Sequence, residues 1–208
     1  MSQKPKKKQI AILVSGSGTN MENMVRKVKA NELPCEVTLV VCDNPKAHAL
    51  VRASRLGLET FVIDRVNFES KAEFDAQITQ KLKEKKVDLI LLAGFMRVLG
   101  PEFVRTWRWR ILNIHPSLLP KYPGVSAIRD AFCAKEKETG VTIHFVDEGV
   151  DTGPIILQRK VPIKSMDTLE TLETRVHTAE YELYPEAIRL FLSGKLVVED
   201  SKVKIIQS

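Results

Sequence analysis

The sequence predicts an α/β protein, a doubly wound and mostly parallel sheet with helices on both faces. Three observations carry that expectation. Unbroken apolar runs, Ile10–Val14 above all, suit strands covered on both sides. Strand and helix periodicities alternate through the first half of the chain. A glycine-rich turn, Ser15-Gly-Ser-Gly-Thr-Asn20, joins the first run to a helical segment, which aims backbone N–H groups and a helix N-terminus at a phosphate. The expected fold is therefore Rossmann-like, with an antiparallel extension of the sheet in the C-terminal half. At 208 residues, with no repeats and no Pro/Ser-rich linker, a single domain over 9–208 is expected behind a short head, 1–8. Its half up to about residue 100 reads as phosphate-binding, the rest as catalytic.

The elements come in this order. Met21, Met24, Val25 and Val28 recur at helical spacing after the turn. Glu36–Cys42 reads as a second strand, Asp43–Lys46 as a turn, and Ala47–Leu56 as a helix closed by Gly57. Glu59–Ile63 is a third strand. Ser70 and Glu73 form a capping box for a helix that buries Phe74, Ile78 and Leu82. Asp88–Leu92 is a fourth strand, and a fifth starts at Ile111 and closes on Asn113 and His115. A helix is expected over about Ala127–Lys135, an alternating strand over Gly140–Asp147 and another strand over Pro154–Ile163. Asp167 and Glu170 are read as caps of a long helix, with Leu169, Leu172, Val176, Leu183 and Ile188 inward and a break or kink at Pro185. Leu196–Ile206 reads as a hairpin around Asp200-Ser201.

Composition narrows the function. No window is long and apolar enough to span a membrane, and the N-terminus lacks a signal peptide's apolar core. The net charge of +6 is uneven, because Lys4, Lys6, Lys7 and Lys8 supply four of it. A short basic head of this kind is expected to be solvated and disordered rather than a nucleic-acid contact. Cys35, Cys42 and Cys133 are odd in number, far apart and free of any C-x-x-C pair. That argues against a disulfide framework or a zinc site and for a reduced, cytoplasmic chain with no metal.

The chemistry centres on Asn113 and His115. Two residues apart on an extended backbone, they point to one face, and Pro116, Pro120 and Pro123 stiffen the loop after the strand. Asp151 comes from a later loop, Asp147-Glu-Gly-Val-Asp-Thr-Gly-Pro154. A histidine with a carboxylate partner is an oriented acid/base, and an amide beside it can donate to a developing oxyanion. His144, in mid-strand, reads as a hydrogen-bonded supporting residue. No serine or cysteine sits in a nucleophile motif. The set suits acyl transfer between two small molecules without a covalent enzyme intermediate, and the glycine-rich turn suggests that one of them carries a phosphate.

Five segments together resemble the folate-dependent formyltransferases: Ser15–Asn20, Ala93-Gly-Phe-Met-Arg97, Asn113-Ile-His-Pro-Ser, His144-Phe-Val-Asp and Asp151-Thr-Gly-Pro. The resemblance runs from Ile10 to about Leu192 and is strongest to the purine-synthesis branch. It implies formyl transfer from 10-formyltetrahydrofolate, the co-substrate, to phosphoribosylglycinamide, with small molecules as the only partners beyond a homodimer. By resemblance, His115 is the acid/base, Asn113 hydrogen-bonds the formyl oxygen, and Asp151 raises the pKa of His115 and positions a water. Gly18, Thr19 and Asn20 match the segment on the substrate phosphate, and Glu180 a carboxylate on its ribose or glycyl end. His177 stands where others have Lys or Gln near the phosphate. Met96, Arg97, Val98 and Leu99 match the loop along the folate pocket, together with Asn113, and Val146, Asp147, Glu148, Gly149 and Val150 match the segment around the pterin. Lys71 replaces an Arg that some members place on the folate tail, and Ser126 stands where many have His.

The alternatives differ in kind. A methionyl-tRNA formyltransferase needs an RNA-binding domain after the long helix, for which too few residues remain. A formyltetrahydrofolate deformylase needs no phosphate turn. A non-catalytic phosphate or nucleotide module would leave Asn113, His115 and Asp151 as an accident. A nicotinamide dehydrogenase would need a fuller glycine fingerprint.

Overall fold

The computed structural model describes residues 7–206. In chain order the elements are β1 (Lys8–Val14), α1 (Thr19–Lys29), β2 (Cys35–Cys42), α2 (His48–Arg55), β3 (Thr60–Val62), α3 (Lys71–Glu84), β4 (Leu89–Leu92), α4 (Pro101–Thr106), β5 (Ile111–His115), α5 (Ala127–Cys133), β6 (Glu138–Phe145), β7 (Ile155–Pro162), α6 (Leu169–Leu192), β8 (Leu196–Glu199) and β9 (Lys202–Ile205). The strand order is β3-β2-β1-β4-β5-β6-β7, with β8 and β9 in a two-stranded sheet of their own. This is the expected α/β class. The chain divides at Phe95/Met96 into two compact units.

In the first unit β1 runs parallel to β2 and β4, and β2 parallel to β3. Ile10 to Val14 are all buried, which explains why the run carries no polar alternation. Met21, Met24 and Val25 form the buried face of α1. The Ser70–Glu73 capping box opens α3, and Phe74, Ile78 and Leu82 are buried as the spacing required. Gly57, at φ 71°, comes just after the end of α2. Of the basic head, residues 1–6 lie outside the described residues. Lys8 corrects the expectation: it extends the β1 ladder opposite Cys35, and its ammonium meets Asp88 at 3.1 Å.

In the second unit β5, β6 and β7 are antiparallel neighbours. The register sets Asn113 opposite His144 and His115 opposite Thr142. Helix α6 packs on β6 and β7. Its Tyr184 is fully buried and donates a hydrogen bond to Leu112 O at 2.9 Å, which ties the β5 backbone to the helix.

Three local expectations change here. The α6 cap lies one residue later than expected, at Thr168, whose Oγ1 accepts from Thr171 N while Thr171 Oγ1 accepts from Thr168 N. Asp167 is engaged elsewhere. Arg175 grips it at 2.7 and 2.8 Å, Lys164 N donates to it, and this environment holds its carboxyl well below the ordinary range. Nor does α6 break at Pro185: the residue is buried within a continuous 24-residue helix. An interior proline costs about 3 kcal/mol. Burial of Leu183, Tyr184, Ala187 and Ile188 around it offsets that loss. Lys135, at φ 54°, falls beyond the end of α5 rather than inside it. Between β8 and β9, Asp200 and Ser201 have φ of 48° and 58°, the two positive values of a type I′ hairpin.

Gly140 on β6 has no room for a side chain, since a Cβ there would lie 2.3 Å from Arg159 O and 2.5 Å from Leu118 Cδ2. The carbonyl cannot retreat without opening the β6–β7 ladder. Gly140→Ala is expected to lower stability by about 1–3 kcal/mol, read as a lower urea midpoint with an unchanged slope. An unchanged midpoint would mean that the strands separate at little cost.

Candidate active site

Asn113 and His115 lie on β5, the first half-buried and the second only 4% exposed. Asp151 lies on the loop between β6 and β7, with its backbone in the left-handed region at φ 55°. Its carboxylate meets both β5 side chains. Asn113 Nδ2 donates to Asp151 Oδ1 at 3.3 Å, and His115 Nδ1 lies 3.4 Å from Oδ2. One carboxylate thus spans the two residues that the strand presents on one face. Gly124 N donates to Oδ2 at 2.9 Å, and His144 Nε2 stands 3.6 Å from Oδ1. Burial by itself raises the Asp151 pKa. His144, the Gly124 N–H and His115 pull it the other way and win, so the carboxyl lies below its ordinary value.

The proton inventory limits what each group can do. With both nitrogens protonated, His144 donates from Nδ1 to Phe145 O at 2.8 Å and turns Nε2–H toward Asp151, the state in which it lowers that carboxyl's pKa. In the neutral ring with Nδ1 still donating, Nε2 is left to accept from Asn113 Nδ2 at 3.1 Å. Both N–H bonds of the Asn113 amide are then engaged, one on His144 and one on Asp151. His144 is thereby the supporting residue that its mid-strand position suggested. His115 Nε2 lies 2.7 Å from the Tyr122 carbonyl while Nδ1 faces Asp151. Both ring nitrogens face oxygen acceptors, so the ring serves both only when each nitrogen bears a proton. In this arrangement a loop carbonyl occupies the Nε2 position that a reactant would use.

That loop is fastened at several points. Thr142, fully buried on β6, donates from Oγ1 to Ser117 O at 2.7 Å and accepts from Leu119 N at 3.1 Å. Gln158 Nε2 donates to both Leu119 O and Thr142 Oγ1 at 2.9 Å. Farther along, Glu136 receives Lys121 Nζ and Tyr122 Oη, each at 2.9 Å. Sequence reading missed Thr142, Gln158 and Glu136 as supports. Thr142 left a trace, a polar residue on the His144 face of a strand whose neighbours are apolar. Gln158 and Glu136 left none, because their partners are loop carbonyls and side chains distant in sequence.

The other expected site residues lie in both units. His177 and Glu180 pair on α6 at 2.8 Å, with Glu180 buried and His177 partly exposed. Hydrogen bonding to Glu180 raises the His177 pKa. Met96 and Val98 are exposed while Leu99 is buried, so of these three only the first two present apolar surface. In the Val146–Val150 segment, Asp147 closes the loop on itself by accepting from Gly149 N and Thr152 Oγ1, Val150 is exposed, and Glu148 reaches Arg105 at 3.1 Å. In the first unit, Gly18 (φ 75°) caps α1 with no side chain, and Thr19 and Asn20 form the helix's first turn. Lys71 is exposed at the start of α3. Among the described residues no group of three or more His, Cys, Asp or Glu is placed to hold a metal ion.

Known proteins are similar to this chain in sequence and architecture. Residues 8–188 match the family model described as Formyl transferase. The chain is 42% identical over 185 residues to the phosphoribosylglycinamide formyltransferase of Bacillus subtilis, covering 89% of this chain and 95% of that protein. It is 45% identical over 195 residues to the trifunctional purine biosynthetic protein adenosine-3 of Drosophila melanogaster, covering 93% of this chain but only 14% of that protein's length. The crystal structure of glycinamide ribonucleotide transformylase 1 from Symbiobacterium toebii superposes with a TM-score of 0.95 at 42% identity, over 98% of this chain and 96% of that one.

The depressed pKa of Asp151 couples the site to acid stability. The contribution is present above the unfolded value, about 3.9, and is lost as pH falls through the lower folded value. Asp151→Asn is expected to reduce stability at neutral pH and to flatten the acid limb of a plot of urea midpoint against pH. An acid limb identical to the parent's would assign that proton uptake to another group.

Proposed function

The chain belongs to the formyl transferase family, and from that premise we propose that it transfers the formyl group of 10-formyltetrahydrofolate to the amine of phosphoribosylglycinamide. The observation that carries this reading is the shared carboxylate: Asn113, His115 and Asp151 converge on one another within the second unit. No enzyme nucleophile is needed. The substrate amine attacks the formyl carbon, a tetrahedral oxyanion forms, and the bond to the folate nitrogen breaks as that nitrogen takes up a proton.

Each residue then has a task. The His115 ring supplies a proton toward the oxyanion and helps carry the amine's proton to the leaving nitrogen, once Nε2 exchanges the Tyr122 carbonyl for substrate. The Asn113 amide donates to the formyl oxygen after releasing Asp151 or His144, since both its N–H bonds are otherwise engaged. Asp151 keeps the imidazole oriented and can hold a water. By the family resemblance the Gly18–Asn20 turn takes the acceptor's phosphate, and His177 and Glu180 are assigned roles in acceptor binding. The exposed Met96, Val98 and Val150 suit the folate ring, and Lys71 its carboxylate tail. The chain would act in one-carbon metabolism of purine synthesis, in the cytoplasm.

Mixing the protein with both substrates and monitoring folate release tests this reading. His115→Ala is expected to lose about 10²–10⁴-fold in kcat while still binding folate by fluorescence titration. Near-parental kcat would remove His115 from the chemistry, and folate release without the amine would make the protein a hydrolase. A pH profile adds a second check. The raised His177 pKa keeps that ring cationic below it, so KM for the phosphorylated acceptor is expected to rise as pH climbs through that value, and His177→Gln to remove the step. A pH step unchanged in that variant would free His177 from the role.

A further inference from the structure

We propose that Arg52, aided by Asn44, is a positioning residue that fixes the anion-binding geometry of the Ser15–Asn20 turn. The inference rests on the reading that this turn takes the substrate phosphate. Three successive carbonyls of the turn are held by one segment. Asn44 Nδ2 donates to Ser15 O at 3.3 Å, Ala49 N to Gly16 O at 3.0 Å and Arg52 Nε to Ser17 O at 2.9 Å. In a planar trans peptide the carbonyl and the following N–H point in opposite directions. None of these bonds is cis. The N–H groups of Gly16, Ser17 and Gly18 therefore face away from the Asn44–Arg52 segment, and successive N–H groups turned to one side make an anion-binding concavity. Among the described residues none of these three N–H groups has a protein acceptor. Gly18 completes the turn at φ 75°, where a Cβ would lie 2.7 Å from Ala49 Cβ.

Arg52 has a second effect. Glu22 lies in the first turn of α1, where its carboxylate would repel a phosphate at that helix's N-terminus. Arg26 at 2.6 Å and the Nη1 of Arg52 both pair with it, and these bonds hold its carboxyl below the ordinary value. One guanidinium thus holds the Ser17 peptide and pairs with the carboxylate in the first turn of α1. A lysine ammonium, lacking the fork, cannot reproduce both contacts in the same geometry.

The test is steady-state kinetics with phosphoribosylglycinamide and with its dephosphorylated nucleoside. Arg52→Ala is expected to raise KM for the phosphorylated acceptor about tenfold, the factor that about 1.4 kcal/mol gives, with kcat within about twofold. KM for the nucleoside should not move. Adding Glu22→Gln to Arg52→Ala is expected to recover part of the loss, the remainder being the hold on Ser17. Arg52→Gln, which keeps an N–H for Ser17 O, supplies the same comparison if the alanine variant folds poorly. An unchanged KM, or an equal rise for nucleoside and nucleotide, overturns the inference while leaving the phosphate reading intact. A parent enzyme that uses nucleoside as well as nucleotide overturns the phosphate reading itself, and the inference with it.

Discussion

The half-buried carboxylate of Asp151 is the interaction on which the second unit's candidate site depends. A carboxylate removed from water is costly unless its oxygens are matched by donors. Here Asn113 and Gly124 donate to it and His115 stands against it, so three chain segments are held to a single pair of atoms. The β5 strand, the loop after it and the β6–β7 connection all converge on those atoms. Asp151 itself sits in a left-handed backbone conformation that a non-glycine residue adopts at a cost. Burying the same carboxylate without its donors would cost more, and that difference fixes the loop.

The first unit uses the backbone where the second uses side chains. Its turn offers peptide N–H groups, and their direction is decided by the set of donors that grip the opposite ends of the same peptides. The two arrangements differ in the chemistry they suit. A phosphate dianion is well matched by fixed dipoles that carry no proton to lose. The reacting amine and formyl group need a group that can exchange protons, and imidazole is the side chain suited to that near neutral pH, here oriented by a carboxylate that stays charged.

Much of this was legible in the sequence because it depends on local pattern. The period-2 spacing of Asn113 and His115 put both on one face, and the carboxylate bridging them bears that out. Unbroken apolar runs gave the buried strands, and Ser70 with Glu73 gave the α3 cap. The α6 cap slipped by one residue because Asp167 and Thr168 are both good caps, and only the position of Arg175 decides which carboxylate or hydroxyl is free. Pro185 read as a break or kink because propensity is local, whereas the burial that keeps the helix unbroken there is set by tertiary packing. The supports at Thr142, Gln158 and Glu136 were hidden for a related reason. Their partners are carbonyls of a loop whose path is set only once β6 and β7 are paired.

The arrangement of protons around β5 also bears on how the proposed reaction would begin. Tyr122 O holds His115 Nε2, and Asp151 and His144 hold the Asn113 amide, so the groups assigned to catalysis are satisfied by the protein itself. A cluster satisfied in this way is stable, and each hydrogen bond exchanged for a substrate contact changes the free energy by only about 0.5–1.5 kcal/mol. Substrates therefore need not create the geometry; they need only replace Tyr122 O at the ring and one acceptor at the amide. The loop can give up that contact without losing its place, because Thr142, Gln158 and Glu136 hold it at points away from His115. Its prolines act in the same direction, by limiting how far the released segment can wander. The result is a site kept ordered by bonds it must break, with the cost of breaking confined to one loop carbonyl and one acceptor of the Asn113 amide.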